Sequence, residues 1–211
     1  MADEAPAAPP RRNPNIIITG TPGTGKTTHC EALATRIAAA ASTTGAAPAS
    51  NGSGDAVLAE LRHIAVNDVV RDRNCHDGWD AEYQSWLVDE DRLLDELEPD
   101  MTSERGGCIV DWHACDLFPV SWVDLVVVLT ADTESLYDRL ALRKYPEAKM
   151  QENIDAEIMQ VLLQEAHEAF DEGMVVELAS NTPDDMEANV DRIVAWVAQW
   201  RKDQGIDKEE E

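Results

Sequence analysis

Basic side chains are scarce in this chain. Its 17 lysines and arginines stand against 42 aspartates and glutamates, giving a formal charge of −25 and a pI near 4.3. A surface of that sign repels phosphate backbones and anionic membranes. It excludes bulk nucleic-acid binding and suits either a strongly basic protein partner or plain solubility. Cysteine is sparse too: Cys30, Cys75, Cys108 and Cys115 form no C-x-x-C pair and no zinc-finger spacing. They read as reduced, packed thiols of an intracellular protein. No apolar run approaches membrane-spanning length, and no hydrophobic signal segment is found. The guanine-reading motif N-K-x-D is missing, which argues against a GTPase switch. No long insertion between strands suggests a motor or helicase. A length of 211 residues is enough for one domain with a substantial core.

What the chain does have is Gly20-Thr21-Pro22-Gly23-Thr24-Gly25-Lys26-Thr27, a complete G-x-x-x-x-G-K-[ST] phosphate loop. The β-branched run Asn15–Thr19 before it reads as a buried parallel strand, and Lys26 to Ala40 after it as an amphipathic helix. The glycines let the backbone curl so that successive N–H groups face a phosphate. The helix start adds its positive dipole end. Lys26 supplies a mobile charge for the β- and γ-phosphates, and Thr27 a hydroxyl for Mg²⁺. The expectation is binding of a nucleoside triphosphate.

Further strands are expected at Arg62–Val66, Cys108–Asp111, Asp124–Thr130 and Met174–Leu178. Helical patterns cover the later part of Glu82–Leu97, then Thr133–Leu142, Ile154–Asp171 and Pro183–Arg201. Five strands alternating with helices predict an α/β, three-layer P-loop NTPase fold on a five-stranded parallel sheet. Residues 1–14, rich in Ala and Pro, read as a disordered lead. Residues 42–54 read as a flexible low-complexity insertion, and 203–211 as an acidic tail, leaving a domain at 15–202.

Asp111 closes an apolar strand, where phosphate-loop enzymes keep the acid associated with Mg²⁺. His113, two residues on, is near enough to approach the γ-phosphate, although a lone histidine is more often structural. Arg71 and Arg73 follow the second strand, where they either fork onto a second substrate's phosphate or remain solvated charges. Arg139, Arg143 and Lys144 form the one basic patch of the later chain. It suits a clamp on transferring phosphates, or merely balances a helix C-terminus.

Several longer runs then resemble the adenylate kinase isoenzyme 6 family. These are the phosphate loop with its extra Thr28, Asp68-Val69-Val70-Arg71, Asp77-Gly78-Trp79-Asp80-Ala81-Glu82-Tyr83 and Asp89-Glu90-Asp91-Arg92. Val110 to Pro119, with its D-W-H-A-C-D core, and Leu136 to Ile154 complete the resemblance. It covers roughly Asn15 to Trp200 apart from the insertion, with Thr182 standing where some members have a lysine near the adenine.

The resemblance implies a nucleoside monophosphate kinase that moves the γ-phosphate of ATP to AMP and also hydrolyses ATP, with Mg²⁺ as cofactor. Gly23, Gly25, Lys26, Thr27, Thr28, Arg139 and Arg143 would bind ATP, and Thr27 and Asp111 the metal, the latter through water. Asp68 and Arg71 would serve the monophosphate in a segment at about 67–90, and a short lid would lie at about 142–152. Lys26, Asp111, His113 and Arg143 would be catalytic. The resemblance further implies late maturation of the small ribosomal subunit and its 18S rRNA, in cytoplasm and nucleus. The partners would be the pre-40S particle and a basic platform protein, the eleventh of the universal small-subunit series. The alternatives are an assembly ATPase that releases or remodels a bound ribosomal protein, with its kinase activity incidental, and a small-metabolite kinase of the same fold.

Overall fold

The computed structural model describes residues 11–43, 61–81 and 85–206. Strand β1 (Ile16–Thr19) is wholly buried and sits at the centre of a five-stranded parallel sheet. Helix α1 (Lys26–Thr43) leads to β2 (Arg62–Ala65) and α2 (Val66–Asp72). A hairpin of β3 (His76–Asp80) and β4 (Ser85–Val88) precedes α3 (Glu90–Met101) and β5 (Cys108–Asp111). The second half runs through β6 (Leu125–Thr130), α4 (Thr133–Leu142), α5 (Glu147–Ile158), α6 (Val161–Ala169), β7 (Val175–Ala179) and α7 (Pro183–Asp203). The sheet order is β2-β5-β1-β6-β7, with β3 and β4 forming a separate antiparallel pair. None of the described helices is long and apolar enough to cross a membrane.

Successive side chains of β1 go to opposite faces, and both faces are covered. Ile17, Val110 and Val126 pack with Leu93, Leu97 and Met101 of α3 and with Phe170 after α6. Ile16, Ile18, Ile109 and Val127 pack with Leu33 and Ile37 of α1 and Val190, Ile193 and Val197 of α7. Continuous β-branched runs are what a doubly covered parallel sheet requires. Because the chain leaves β1 toward β2 and β5, and only later adds β6 and β7 on the other side, a crevice opens at the strands' carboxyl ends. The phosphate loop and Asp111 both lie there, since Ile18 of β1 is in register with Asp111 of β5.

Three expectations need correction. Arg11, Asn13 and Pro14 of the expected disordered lead are buried. Arg11 is 6% exposed, donates to the carbonyls of Ser121 and Trp122, and pairs with Asp124 at 3.5 Å. Asn13 donates to the Arg105 carbonyl at 3.1 Å, and its own carbonyl comes so near Gly106 that a Cβ there would lie 2.0 Å away. Helix α1 continues to Thr43, into the expected insertion, and the remainder of 42–54 lies outside the described residues. The later part of 82–97 is helical from Glu90, as expected, and Ser85–Val88 before it adds a strand paired with β3. The helix expected over 154–171 breaks at Gln160, whose φ of 52° is left-handed, so that α6 starts afresh at Val161.

Gly20 shows how little latitude the loop has. Its φ is +142°, and a Cβ would lie 2.4 Å from the Leu129 carbonyl oxygen. Gly20→Ala is expected to cost about 3 kcal/mol through strain and clash. For a chain this size that lowers Tm by about 6–12 °C. Calorimetry showing no change would mean that the loop relaxes freely.

Candidate active site

The loop is braced from outside. Arg139 donates to the carbonyls of Gly23 (3.2 Å), Ser180 (2.7 Å) and Asn181 (2.7 Å), and the Ser180 hydroxyl donates to the Thr24 carbonyl (2.7 Å). Carbonyls engaged in this way leave the loop's N–H groups for an anion. Lys26 lies back across the loop, its Nζ donating to Gly20 O at 2.6 Å and Thr21 O at 3.2 Å. Burial, with Arg143 nearby, pulls its pKa down to about 8 against the opposing pull of Asp111. A triphosphate arriving there meets an amine that is poorly solvated and gains charge stabilisation by leaving the carbonyls.

The Thr27 hydroxyl donates to Asp111 Oδ2 at 2.5 Å. Burial alone would raise the Asp111 carboxyl, but His63, Thr27 and Lys26 hold it below its ordinary value, so it is ionised at neutral pH. A hydroxyl and an ionised carboxylate side by side are the hard oxygen donors that Mg²⁺ prefers, so these residues fit the implied ion.

His113 is held over the sheet's end, where its carbonyl accepts from the Thr19 hydroxyl at 3.1 Å and its ring lies 4.2 Å from that of Trp112. The residue is exposed to the cleft, with Trp112 along one side of the ring. Partial desolvation, with Lys26 and Lys149 near, pushes its pKa down to about 4, so it is neutral at pH 7. The unfolded chain, with an ordinary histidine near 6.5, then binds more protons between about pH 4 and 6.5. Stability is expected to fall as pH drops through that window, and less steeply in His113→Gln. Denaturant unfolding at several pH values checks this, and equal slopes in the two proteins would contradict it.

These groups line one cleft of about 740 Å³. Gly23, Gly25, Thr28 and Lys26 line one side of it, and Arg143 comes from the α4–α5 connection, beside Tyr145 and Lys149. That connection is anchored by Leu136, Leu140 and Ile154, against which Tyr145 and Met150 pack. Opposite stand Val70 and Arg71 of α2 and the hairpin tryptophans Trp79 and Trp86. Trp86 stacks on His76 at 4.0 Å and meets Trp79 edge-on at 5.1 Å, leaving Trp79 about half exposed (52%).

Two of the expected ligands sit differently from the rest. Asp68 lies outside the cleft lining and pairs with an Arg71 terminal nitrogen at 2.9 Å, while Asp72 accepts from Arg71 Nε at 2.8 Å and from that same terminal nitrogen at 3.2 Å. Arg139 also lies outside the lining, with its guanidinium on backbone carbonyls. Thr182 caps α7, its hydroxyl accepting from Asp185 N at 3.1 Å in a reciprocal capping box. The sequence reading gave no role to Trp79, Trp86, Tyr145 or Lys149. A tryptophan amid acids in D-G-W-D was the one signal available.

A family model described as an AAA domain matches residues 16–160. The "Adenylate kinase isoenzyme 6 homolog" of Schizosaccharomyces pombe is 46% identical over 192 residues, covering 91% of this chain and 96% of the relative. That of Dictyostelium discoideum is 42% identical over 190 residues, covering 90% and 95%. Among solved structures, a shikimate kinase from Bacteroides thetaiotaomicron superposes with a TM-score of 0.53 at 15% identity, covering 87% of this chain and 98% of its own. A gluconokinase from Sinorhizobium meliloti gives 0.52 at 15%, covering 92% and 96%. At that identity the likeness is one of fold, that of P-loop kinases.

Proposed function

The chain belongs to the adenylate kinase isoenzyme 6 family, and from that premise we propose that it transfers the γ-phosphoryl group of ATP to AMP or a related nucleoside monophosphate. The observation that carries this reading is one cleft with a phosphate loop on one wall and Arg71 with two tryptophans on the other. Phosphoryl transfer needs positioning and charge neutralisation more than a side-chain nucleophile. Lys26 moves from the loop carbonyls to the phosphates, and Arg143 closes over them from the lid side. Mg²⁺, held by Thr27 and through water by Asp111, would neutralise charge on the transferring group. Arg71 exchanges its carboxylate partners for the monophosphate's phosphate, and Trp79 offers a ring face to the base. Neutral His113 accepts or orients a proton beside the reacting phosphate. With water in place of the monophosphate the same arrangement hydrolyses ATP slowly.

A dinucleotide with two adenosines joined through a phosphate chain tests the two-site reading by calorimetry. It is expected to bind one per chain and far more tightly than ATP. Affinity equal to that of ATP would leave only the donor site.

We also propose a role in late small-subunit maturation in cytoplasm and nucleus, with the basic platform protein as partner. The excess of 25 negative charges supports it, since opposite charge speeds association and makes it salt-dependent. Purified protein is expected to hold that partner at low salt, to lose affinity as salt rises, and to change affinity when ATP is added. A titration indifferent to salt and nucleotide would contradict this role and leave the kinase assignment untouched.

A further inference from the structure

Three side chains from distant parts of the sequence meet behind the phosphate loop. Cys30 comes from α1, one turn past Lys26, His63 from β2 and Asp111 from the end of β5. Their ligand atoms all lie within 4.8 Å of one another. His63 Nε2 faces Asp111 Oδ2 at 3.6 Å, an ion pair when the ring is protonated but beyond hydrogen-bond length, and this buried nitrogen has no hydrogen bond. Buried polar atoms are rarely left so, because an unmet one costs the full loss of its hydration. Cys30 is fully buried, but Asp111 borders the cleft, which gives an ion a way in.

We propose that Cys30, His63 and Asp111 form a binding site for a thiophilic divalent cation of the Zn²⁺ type, and that this ion and Mg²⁺·ATP exclude each other. The exclusion rests on the kinase reading, in which Asp111 serves the Mg²⁺ of the nucleotide. Thiolate, imidazole and carboxylate are a Zn²⁺ donor set, whereas Mg²⁺ takes oxygen alone. Bonds of about 2.0–2.3 Å place ligand atoms closer together than they now stand, so side-chain adjustments on the order of 1 Å close the site. The Cys30 thiol gives its proton to solvent as sulfur takes the ion. Three protein ligands leave a fourth position for water or the Thr27 hydroxyl, which already touches Asp111. The sequence concealed this set because its members share no local spacing.

Titration of the full chain with Co²⁺, without nucleotide, is the first test. One equivalent is expected to bind and to give the charge-transfer absorption of a cobalt–thiolate bond. Cys30→Ser abolishes that band, and His63→Asn weakens Zn²⁺ binding by about 100-fold or more, at least the effect of losing an outer partner of a metal ligand. Absence of one-to-one binding, or of a thiolate band in the parent protein, overturns the site. So does a band that survives Cys30→Ser, and should that variant fail to fold, the parent spectrum and His63→Asn decide. With free Zn²⁺ fixed by a metal buffer, saturating Mg²⁺·ATP is expected to displace the ion. Zn²⁺ retained beside bound Mg²⁺·ATP refutes the exclusion. Nucleotide that does not bind at all refutes the kinase reading instead.

Discussion

Lys26→Ala is expected to lower turnover by about 10² or more while leaving Tm nearly unchanged. Among the described residues the amine donates to two loop carbonyls, so its loss leaves no buried group stranded that water in the cleft cannot serve. In the proposed mechanism the same amine faces the transferring phosphate in the transition state, where a preorganised charge contributes most. Its pKa of about 8 adds a pH signature. As pH rises through 8 the free protein's amine loses its charge, so ATP affinity falls in the parent and stays flat in the variant. Turnover within about threefold of the parent would remove the phosphate loop from the mechanism.

The two arginines on opposite walls are expected to separate by substrate. Arg143 lies close enough to Lys26 to lower that amine's pKa and lines the same cleft, and the proposed mechanism assigns it to the donor phosphates. Arg143→Ala should therefore reduce both transfer and ATP hydrolysis, by about 10² if it stabilises the transferring group. Arg71 sits across the cleft on α2, exposed and held by Asp68 and Asp72. Arg71→Ala should raise the monophosphate KM and spare basal hydrolysis. Steady-state kinetics of both reactions decide the matter, and the reverse pattern would mean that donor and acceptor sites are exchanged.

The sheet and its phosphate end were legible because they rest on local rules. Ile16 to Thr19 can only be a strand covered on both faces, and Gly20 to Thr27 follows it without a gap. Asp111 was readable from its place at the end of an apolar strand, and the structure puts it against Thr27. The hairpin was not legible: His76–Asp80 and Ser85–Val88 are short, half exposed and set among acids, so neither period stands out. Nothing local marks Gln160 as a left-handed break, since no glycine or proline stands there. Arg11 is buried by carbonyls and a carboxylate more than a hundred residues away, a partnership that composition cannot reveal. Arg139, grouped by sequence with Arg143, instead ties Gly23 to the loop before α7. The cations that brace a site and those that enter it differ only in three dimensions.

The most direct test of the central claim is to count ADP formed per ATP consumed, with and without added AMP. Transfer to AMP yields two ADP for each ATP and no free phosphate, because donor and acceptor both end as diphosphates. The expected result is strong stimulation by AMP at that ratio, over a slow basal release of phosphate. One ADP per ATP with equal phosphate, unaffected by AMP, would contradict the kinase and leave a hydrolase.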